Sequence, residues 1–201
     1  LTGKLLSPKQ ISINLRNTLY AGEMDKKLPG DVIPTQMLWA CTSCRACEES
    51  CPVFIEYVDR IIDMRRELVL VEGEFPQELV PAFNGIERSG NPWGFSQDDR
   101  AEWAKGLGVK QMAEVEGSVD YLFWGGCSGS YDDRNKKVSQ AIAKIMNAAG
   151  CSYAILGREE SCTGDPARRA GNEYLFQAAA GVNAATLNGY RAKFGKVVTA
   201  C

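Results

Sequence analysis

The chain has 201 residues, of which 45% are hydrophobic and 24% are charged, a composition typical of a folded globular protein. Its 23 basic and 25 acidic side chains leave a formal charge of −2, which argues against the basic surface that nucleic-acid binding requires. The sequence contains no histidine, so Ser-His-Asp catalysis, Cys-His catalysis and histidine-ligated zinc or haem are excluded from this stretch.

The first half of the chain is predicted to be mostly helical. Ser7-Pro8-Lys9-Gln10 is typical of a helix start, with Ser at the N-cap and Pro at N1, and the helix is expected to reach about Tyr20. A short helix is predicted over residues 36–40. Apolar residues spaced three, four and seven apart then predict a longer helix that ends at Gly73. Short helices joined by turns follow, among them residues 98–105.

In the second half, short apolar strands alternate with helices. This alternation is typical of a βαβαβ unit with a parallel sheet. We therefore predict an α+β chain with a helical domain over residues 1–115 and an α/β domain over residues 116–201. The predicted elements are a strand at 119–124, a helix at 132–149, a strand at 151–156, a helix at 166–190 with Asp165 as its N-cap, and a strand at 196–200.

Four of the eight cysteines lie within eleven residues, in the pattern C-x2-C-x2-C-x3-C-P. They are Cys41, Cys44, Cys47 and Cys51, and Pro52 follows them. This is the spacing of bacterial ferredoxins that bind [4Fe–4S] clusters. The two-residue gaps fold the backbone tightly around one cluster, so that three thiolates reach three irons and backbone amides point at the sulfides.

Three other interpretations of this motif are weaker. Zinc ribbons separate their two C-x2-C pairs by about 15–20 residues, whereas the pairs overlap here. The crowding of four thiols argues against disulfides, and the polar residues in the gaps argue against buried core cysteines. A zinc-stabilised structural or interaction module is therefore kept as the alternative to an iron–sulfur site. Arg45, inside the motif, is either a residue that raises a cluster's potential or a solvated surface arginine.

The ligand count of the motif bears on the length of the protein. In two-cluster ferredoxins the fourth cysteine ligates the other cluster, so Cys51 would need partner thiolates upstream of Leu1. Alternatively, Cys51 closes a single local cluster. Because the sequence starts with Leu and stops just after a predicted strand, we expect a segment of a longer protein.

A second set of cysteines occupies equivalent positions after the predicted strands. Cys127, Cys162 and Cys201 each follow one strand, and ligands bind at this edge of open parallel sheets. Helix N-termini at this edge lower thiol pKa values. Gly164 lets the backbone approach a bulky inorganic group. Three converging thiolates are expected, with unrelated cysteines at strand ends as the alternative. Glu159 and Glu160, just before Cys162, are interpreted either as charges that affect the local potential or, more simply, as loop charges.

These residues resemble a known family. Residues 126–127, residues 162–169 and Cys201, with cysteine spacings of 35 and 39, are similar to the cysteine-rich CCG domain of heterodisulfide reductases and related iron–sulfur oxidoreductases. The relatives include proteins that pass electrons between electron-transfer flavoprotein and a quinone pool, and subunits of complexes that degrade aromatic acids anaerobically. Residues 2–9 resemble the stretch after the first of two ferredoxin motifs in that family, and residues 41–52 match the second motif.

The chain departs from the family pattern at one ligand position. The usual Cys-Cys-Gly is Cys162-Thr163-Gly164 here, so a hydroxyl replaces one thiolate. A non-cubane double cluster would need that thiolate. The resemblance thus leaves an ordinary [4Fe–4S] cluster held by Cys127, Cys162, Cys201 and a cysteine beyond the end of the sequence.

The resemblance implies an electron-transfer part of a multisubunit oxidoreductase. It would relay single electrons between a flavoprotein or ferredoxin-type partner and a terminal acceptor, which is a quinone, a disulfide or another cluster. Two ferredoxin-type clusters in the intact protein and one more in the CCG domain are the expected cofactors. Redox partner subunits, including electron-transfer flavoprotein, are the expected partners; catalytic residues are not assigned.

The reducing cytoplasm is the expected location, because exposed clusters and free thiols survive there. No apolar run approaches the ~18 residues of a membrane span. Contact with the inner face of a membrane is therefore expected only through regions outside this sequence or through partner subunits.

Overall fold

The computed structural model describes Gly3 and residues 5–200, which form two compact units. The first unit comprises the chain up to Phe75 together with Pro166–Glu173, and the second comprises Pro76–Asp165 and the chain from Tyr174 onward. A helical first part followed by a parallel sheet confirms the predicted α+β class. The division into domains 1–115 and 116–201 stays a prediction, because compactness alone does not show which segments fold independently.

The first unit is built largely from helices. They are α1 (Pro8–Tyr20), α2 (Thr35–Trp39), α3 (Ala46–Glu49) and α4 (Val58–Arg66). The Ser7 hydroxyl accepts a hydrogen bond from the Gln10 amide at 3.3 Å, so α1 begins as predicted. A wider helical turn, Glu67–Glu72, follows α4 and ends at Gly73, whose φ is 70°. Among the most deeply buried apolar side chains of this unit are those of Ile11, Ile33, Leu38 and Ile61.

The second unit contains a four-stranded sheet in which all strands are parallel. The strands are β1 (Lys110–Gln111), β2 (Val119–Trp124), β3 (Tyr153–Ile155) and β4 (Phe194–Thr199), in the order β1-β3-β2-β4. Leu122 and Phe123 of the central strand β2 are fully buried. The three predicted strands are confirmed, whereas β1 was not predicted because two residues are too few to show a hydrophobic pattern.

Helices and 3-10 segments precede, connect and follow these strands. They are α5 (Leu79–Ser89), α6 (Gly126–Tyr131), α7 (Asp133–Ala148) and the 3-10 segments Gln97–Ala104, Met112–Glu114 and Gly157–Glu159. The Asp132 carboxylate accepts from the Asn135 amide at 2.9 Å and caps α7 as expected. The 3-10 segment Gln97–Ala104 matters most for function, because it carries Arg100.

The single helix predicted over residues 166–190 is wrong. The chain forms α8 (Asp165–Arg169) and α9 (Glu173–Gly189), with a break at Gly171, whose φ is 87°. The Asn172 amide donates to the Ala167 carbonyl at 2.8 Å, as expected of a Schellman end. A Cβ atom at Gly171 would lie 2.5 Å from the carbonyl carbon of Arg65. The break is therefore fixed by tertiary packing that a helical pattern in the sequence does not reveal.

Candidate metal centres

The segment from Cys41 to Ile55 contains three non-glycine residues in the left-handed backbone region. These are Ser43 and Arg45, each with φ of 58°, and Phe54, with φ of 54°. Such a conformation costs roughly 1–2 kcal/mol for each residue with a Cβ, so it persists only where surrounding structure requires it. Turns of this kind aim backbone N–H groups into a common concavity, which favours a bound anion.

Backbone amides in this segment do point at sulfur. The amide of Ser43 donates to the Sγ of Cys41 at 3.4 Å, and the amide of Ile55 donates to the Sγ of Cys51 at 3.4 Å. Hydrogen bonds of this type stabilise the thiolate form. Cys41 and Cys51, the first and last cysteines of the motif, thus each have a backbone N–H that donates to the sulfur atom.

The pKa values of the motif cysteines differ with their surroundings. The backbone at Ala46 lowers the pKa of Cys44, and the backbone at Ile55 lowers the pKa of Cys51. Burial is the main cause that raises the pKa of Cys47. Cys44 is exposed and lines a surface cleft of about 510 Å³. Two of the four thiols are therefore predisposed to the form that binds metal.

Glu48 joins the motif to the start of α4. Its carboxylate accepts from the amides of Tyr57 at 2.8 Å and Val58 at 2.7 Å, and it forms an ion pair with Arg45 at 2.7 Å. The Val58 amide is the main cause that lowers the pKa of Glu48. Arg45 also pairs with Asp59, and its side chain is 54% exposed, which matches the interpretation of a solvated surface arginine.

The fit of an iron–sulfur group is judged from the donor set and its surroundings. In the arrangement that the structure shows, no group of three or more cysteine, aspartate or glutamate side chains among residues 5–200 could hold a metal ion. The four motif thiols are free, however, and two of them receive amide hydrogen bonds. Thiolates with such donors are the ligands that [4Fe–4S] clusters use, so the residues fit the group chemically.

In the second unit, Cys127 and Cys162 come together at the carboxyl edge of the sheet. Cys127 lies in α6 just after β2, and Cys162 follows β3. A hydrogen bond from the Cys127 thiol lowers the pKa of Cys162 to about 7, and the same contact, together with burial, raises the pKa of Cys127. The Gly164 amide donates to the Cys162 Sγ at 3.4 Å. Cys201 lies outside the described residues.

Thr163 stands at the position where the family has its second cysteine. Its side chain is exposed, and its hydroxyl accepts from the Asp165 amide at 3.4 Å. The hydroxyl thus accepts a hydrogen bond from the first backbone amide of α8. Nothing in this arrangement gives Thr163 the function of the missing thiolate.

A buried ion pair lies beside the two thiols and was missed in the sequence. The Arg100 guanidinium, 1% exposed, meets the Glu160 carboxylate at 3.1 Å and donates to the Cys127 Sγ at 3.3 Å. Glu160, 3% exposed, also accepts from the amides of Gly125 at 3.1 Å and Gly126 at 2.8 Å. The interpretation of Glu160 as a loop charge is therefore wrong. Its position two residues before Cys162 is the basis of the other interpretation, in which it affects the local potential.

The carbonyl of Gly90 links these groups. It accepts from the Cys162 amide at 2.7 Å and the Arg100 guanidinium at 3.4 Å, and the Cys127 sulfur lies 3.6 Å from it. Gly90 has φ of 62°, and a Cβ atom there would lie 2.7 Å from the Gln97 Nε2 and 2.7 Å from the Ser161 Oγ. The left-handed backbone therefore favours glycine where the loop approaches both cysteines.

Comparison with known proteins supports the resemblance. Residues 121–201 match the family model of the cysteine-rich domain CCG. The chain is 43% identical over 182 residues to the EtfAB:quinone oxidoreductase of Syntrophomonas wolfei, covering 89% of the chain and 25% of that protein. It is 45% identical over 181 residues to the probable iron-sulfur-binding oxidoreductase FadF of Bacillus subtilis, covering 87% of the chain and 26% of that protein.

A more distant relative is one of the subunits of the dihydromethanophenazine:CoB–CoM heterodisulfide reductase of Methanosarcina barkeri. The identity is 28% over 154 residues, which cover 73% of the chain and 36% of that relative. No solved structure matches the chain. The chain spans about a quarter of the length of the two more similar relatives. None of the helices in the described part of the chain combines the length and hydrophobicity needed to cross a bilayer.

Proposed function

From the premise that residues 121–201 are a cysteine-rich CCG domain of the kind found in iron–sulfur oxidoreductases, we propose that this chain is an electron-transfer part of a multisubunit oxidoreductase. One observation carries the proposal: the backbone between Cys41 and Ile55 turns amides toward the sulfur atoms of free cysteines. Such a segment binds a sulfur-ligated anion and stabilises its charge.

In this proposal, Cys41, Cys44 and Cys47 hold a [4Fe–4S] cluster. Cys51 either completes its ligands or ligates a second cluster. A cluster bound there supplies one-electron oxidation and reduction. The amides of Ser43 and Ile55 orient the sulfur atoms of Cys41 and Cys51, and the Ile55 amide lowers the pKa of Cys51. Because Cys44 is exposed at the surface cleft, a redox partner would exchange electrons on that side of the motif.

The CCG part would hold a further cluster through Cys127, Cys162 and Cys201. The contact between the first two thiols and the Gly164 amide on the Cys162 sulfur support this assignment. Arg100 contributes a fixed positive charge at the Cys127 sulfur. Since Thr163 offers only an exposed hydroxyl, the proposed group is an ordinary cubane whose fourth ligand comes from outside this sequence.

The names of the relatives suggest the partners. One is an EtfAB:quinone oxidoreductase and another belongs to a heterodisulfide reductase. We therefore assign electron-transfer flavoprotein or a ferredoxin-type protein as donor, and a quinone, a disulfide or another cluster as acceptor. The proposed location is the cytoplasm, at the inner face of the membrane if the complete protein or its partners are anchored there.

Metal analysis of anaerobically purified protein tests this function. We expect iron and acid-labile sulfide in equal amounts, a broad visible absorbance that dithionite bleaches, and an electron paramagnetic resonance (EPR) signal after reduction. Cys47→Ser should lose the iron of the ferredoxin-type site, whereas Cys151→Ser, outside both sites, should keep it. A colourless protein with stoichiometric zinc would instead establish the zinc-stabilised structural module.

A further inference from the structure

Arg65, on α4, is a buried cation without a buried anion beside it. Its side chain is 5% exposed, and no carboxylate in the described part of the chain forms an ion pair with it. Its terminal nitrogens donate to three backbone carbonyls, those of Leu38 and Cys41, each at 2.6 Å, and that of Arg169, at 2.7 Å. Its guanidinium lies 5.0 Å from the ring centroid of Trp39, and its Nε atom has no partner.

This arrangement is costly for the empty protein. Carbonyl dipoles solvate a cation only in part, and a buried charge without a counter-charge disfavours folding. The guanidinium keeps its proton in proteins, so it does not escape the cost by becoming neutral. By contrast, the buried Arg100 meets the carboxylate of Glu160 at 3.1 Å. In the described part of the chain, the buried charge of Arg65 therefore has no carboxylate partner, and it lies at the carbonyl of the first cysteine of the motif.

We infer that Arg65 is the counter-charge for the anionic sulfur-ligated group at the ferredoxin motif, and that it positions Cys41 through its carbonyl. This inference rests on the proposed function. A cluster held by thiolates is an anion that gains one negative charge on reduction. A fixed cation beside it stabilises the reduced form more than the oxidised form and raises the reduction potential.

Other arginines near the motif do not have these properties. Arg45 is mostly exposed and is compensated by Glu48 and Asp59. Arg66 pairs with Asp63 and Glu173. Arg60, on the same helix as Arg65, is exposed. Burial, proximity to Cys41 and the lack of a carboxylate partner occur together only at Arg65 among these four.

The test compares Arg65→Gln, Arg65→Lys and the control Arg60→Gln in the full chain, each loaded anaerobically with iron and sulfide. The readouts are iron content and the midpoint potential of the EPR-active cluster. For Arg65→Gln we expect the ratio of reduced to oxidised cluster at a given potential to fall about tenfold, a shift of about 59 mV for one electron. The midpoint potential of Arg65→Lys should lie much closer to the wild-type value than that of Arg65→Gln, and the midpoint potential of Arg60→Gln should equal the wild-type value.

The outcomes separate the inference from the proposed function. If the wild-type chain binds no iron, the proposed function fails. If it binds iron and Arg65→Gln has the potential of Arg60→Gln, the counter-charge assignment is wrong while the proposed function stands. If Arg65→Gln does not fold, Arg65→Lys provides the test, because lysine keeps the positive charge but cannot reproduce the hydrogen bonds of the guanidinium to all three carbonyls. A midpoint potential of Arg65→Lys clearly below that of Arg60→Gln would then overturn the assignment.

Discussion

At the scale of single residues, charged side chains bonded to the backbone build both cysteine sites. Glu48 binds the amides that begin α4, Glu160 binds the amides that precede Cys127, and Arg65 binds carbonyls on both sides of the motif. None of these partners is near in sequence. Charged residues between cysteines resemble surface residues in a sequence, because the backbone groups that bury them are supplied by other segments.

The Glu48 contacts give a prediction about stability. Glu48→Gln should lower the free energy of unfolding at pH 7 by about 1–3 kcal/mol, because an ionised acceptor is replaced by a neutral one at two amides. Glu49→Gln, its exposed neighbour on α3, is the control and should change stability by no more than about 0.5 kcal/mol. Denaturant unfolding of the apoprotein measures both values.

The pH dependence of this difference follows from the lowered pKa of Glu48. A carboxyl group whose pKa is lower in the folded protein stabilises the fold fully above its unfolded pKa of about 4.3. That contribution disappears as the pH falls through the lower folded value. The gap between wild type and Glu48→Gln should thus be constant near neutral pH and shrink below about pH 4. A gap that widens on acidification would contradict the assignment.

At the scale of elements, the break between α8 and α9 explains how the segment Pro166–Glu173 packs within the first unit. Gly171 ends α8 with a left-handed residue and lies directly against the backbone of Arg65. The Arg66 guanidinium then meets the Glu173 carboxylate at 2.8 Å. The segment Pro166–Glu173 therefore contacts α4 through its backbone and its side chains.

Substitution of Gly171 tests this packing. Gly171→Ala should reduce stability by about 2–4 kcal/mol, since the methyl group meets the Arg65 backbone and alanine resists a positive φ. Gly181→Ala in α9 is the matched control, because nothing lies within 4 Å of a Cβ atom there. It should be stabilising by about 0.5–1 kcal/mol through helix propensity. Equal effects in thermal unfolding would argue against the close contact.

At the scale of the whole molecule, a fragment experiment tests the predicted domain of residues 1–115. Such a fragment lacks Pro166–Glu173, so Arg65 loses its bond to the Arg169 carbonyl and Arg66 loses Glu173. We expect it to unfold at a lower temperature than the same unit in the full chain. If the fragment unfolds at the same temperature as that unit in the full chain, the predicted boundary is supported and Pro166–Glu173 is not needed for the stability of the fragment.

The features of this molecule that could be predicted are those determined by residues close together in the sequence. The spacing from Cys41 to Cys51 is local, and so is the apolar run of β2 and the Asp132 cap of α7. Arg100 could not be predicted, because three of its four hydrogen-bond partners, Gly90, Cys127 and Glu160, come from other segments. Nor could the break at Gly171, because its cause is the distant backbone of Arg65.

The Arg100–Glu160 pair has a consequence for how the protein would be assembled. Because Arg100 and Glu160 form an ion pair at 3.1 Å, the buried charge of Arg100 beside Cys127 has a carboxylate partner before any metal binds. Arg65, beside the first motif, has no such carboxylate partner among the described residues. Metal delivery should therefore matter more for the maturation of the first unit, and iron starvation should damage that unit before the second.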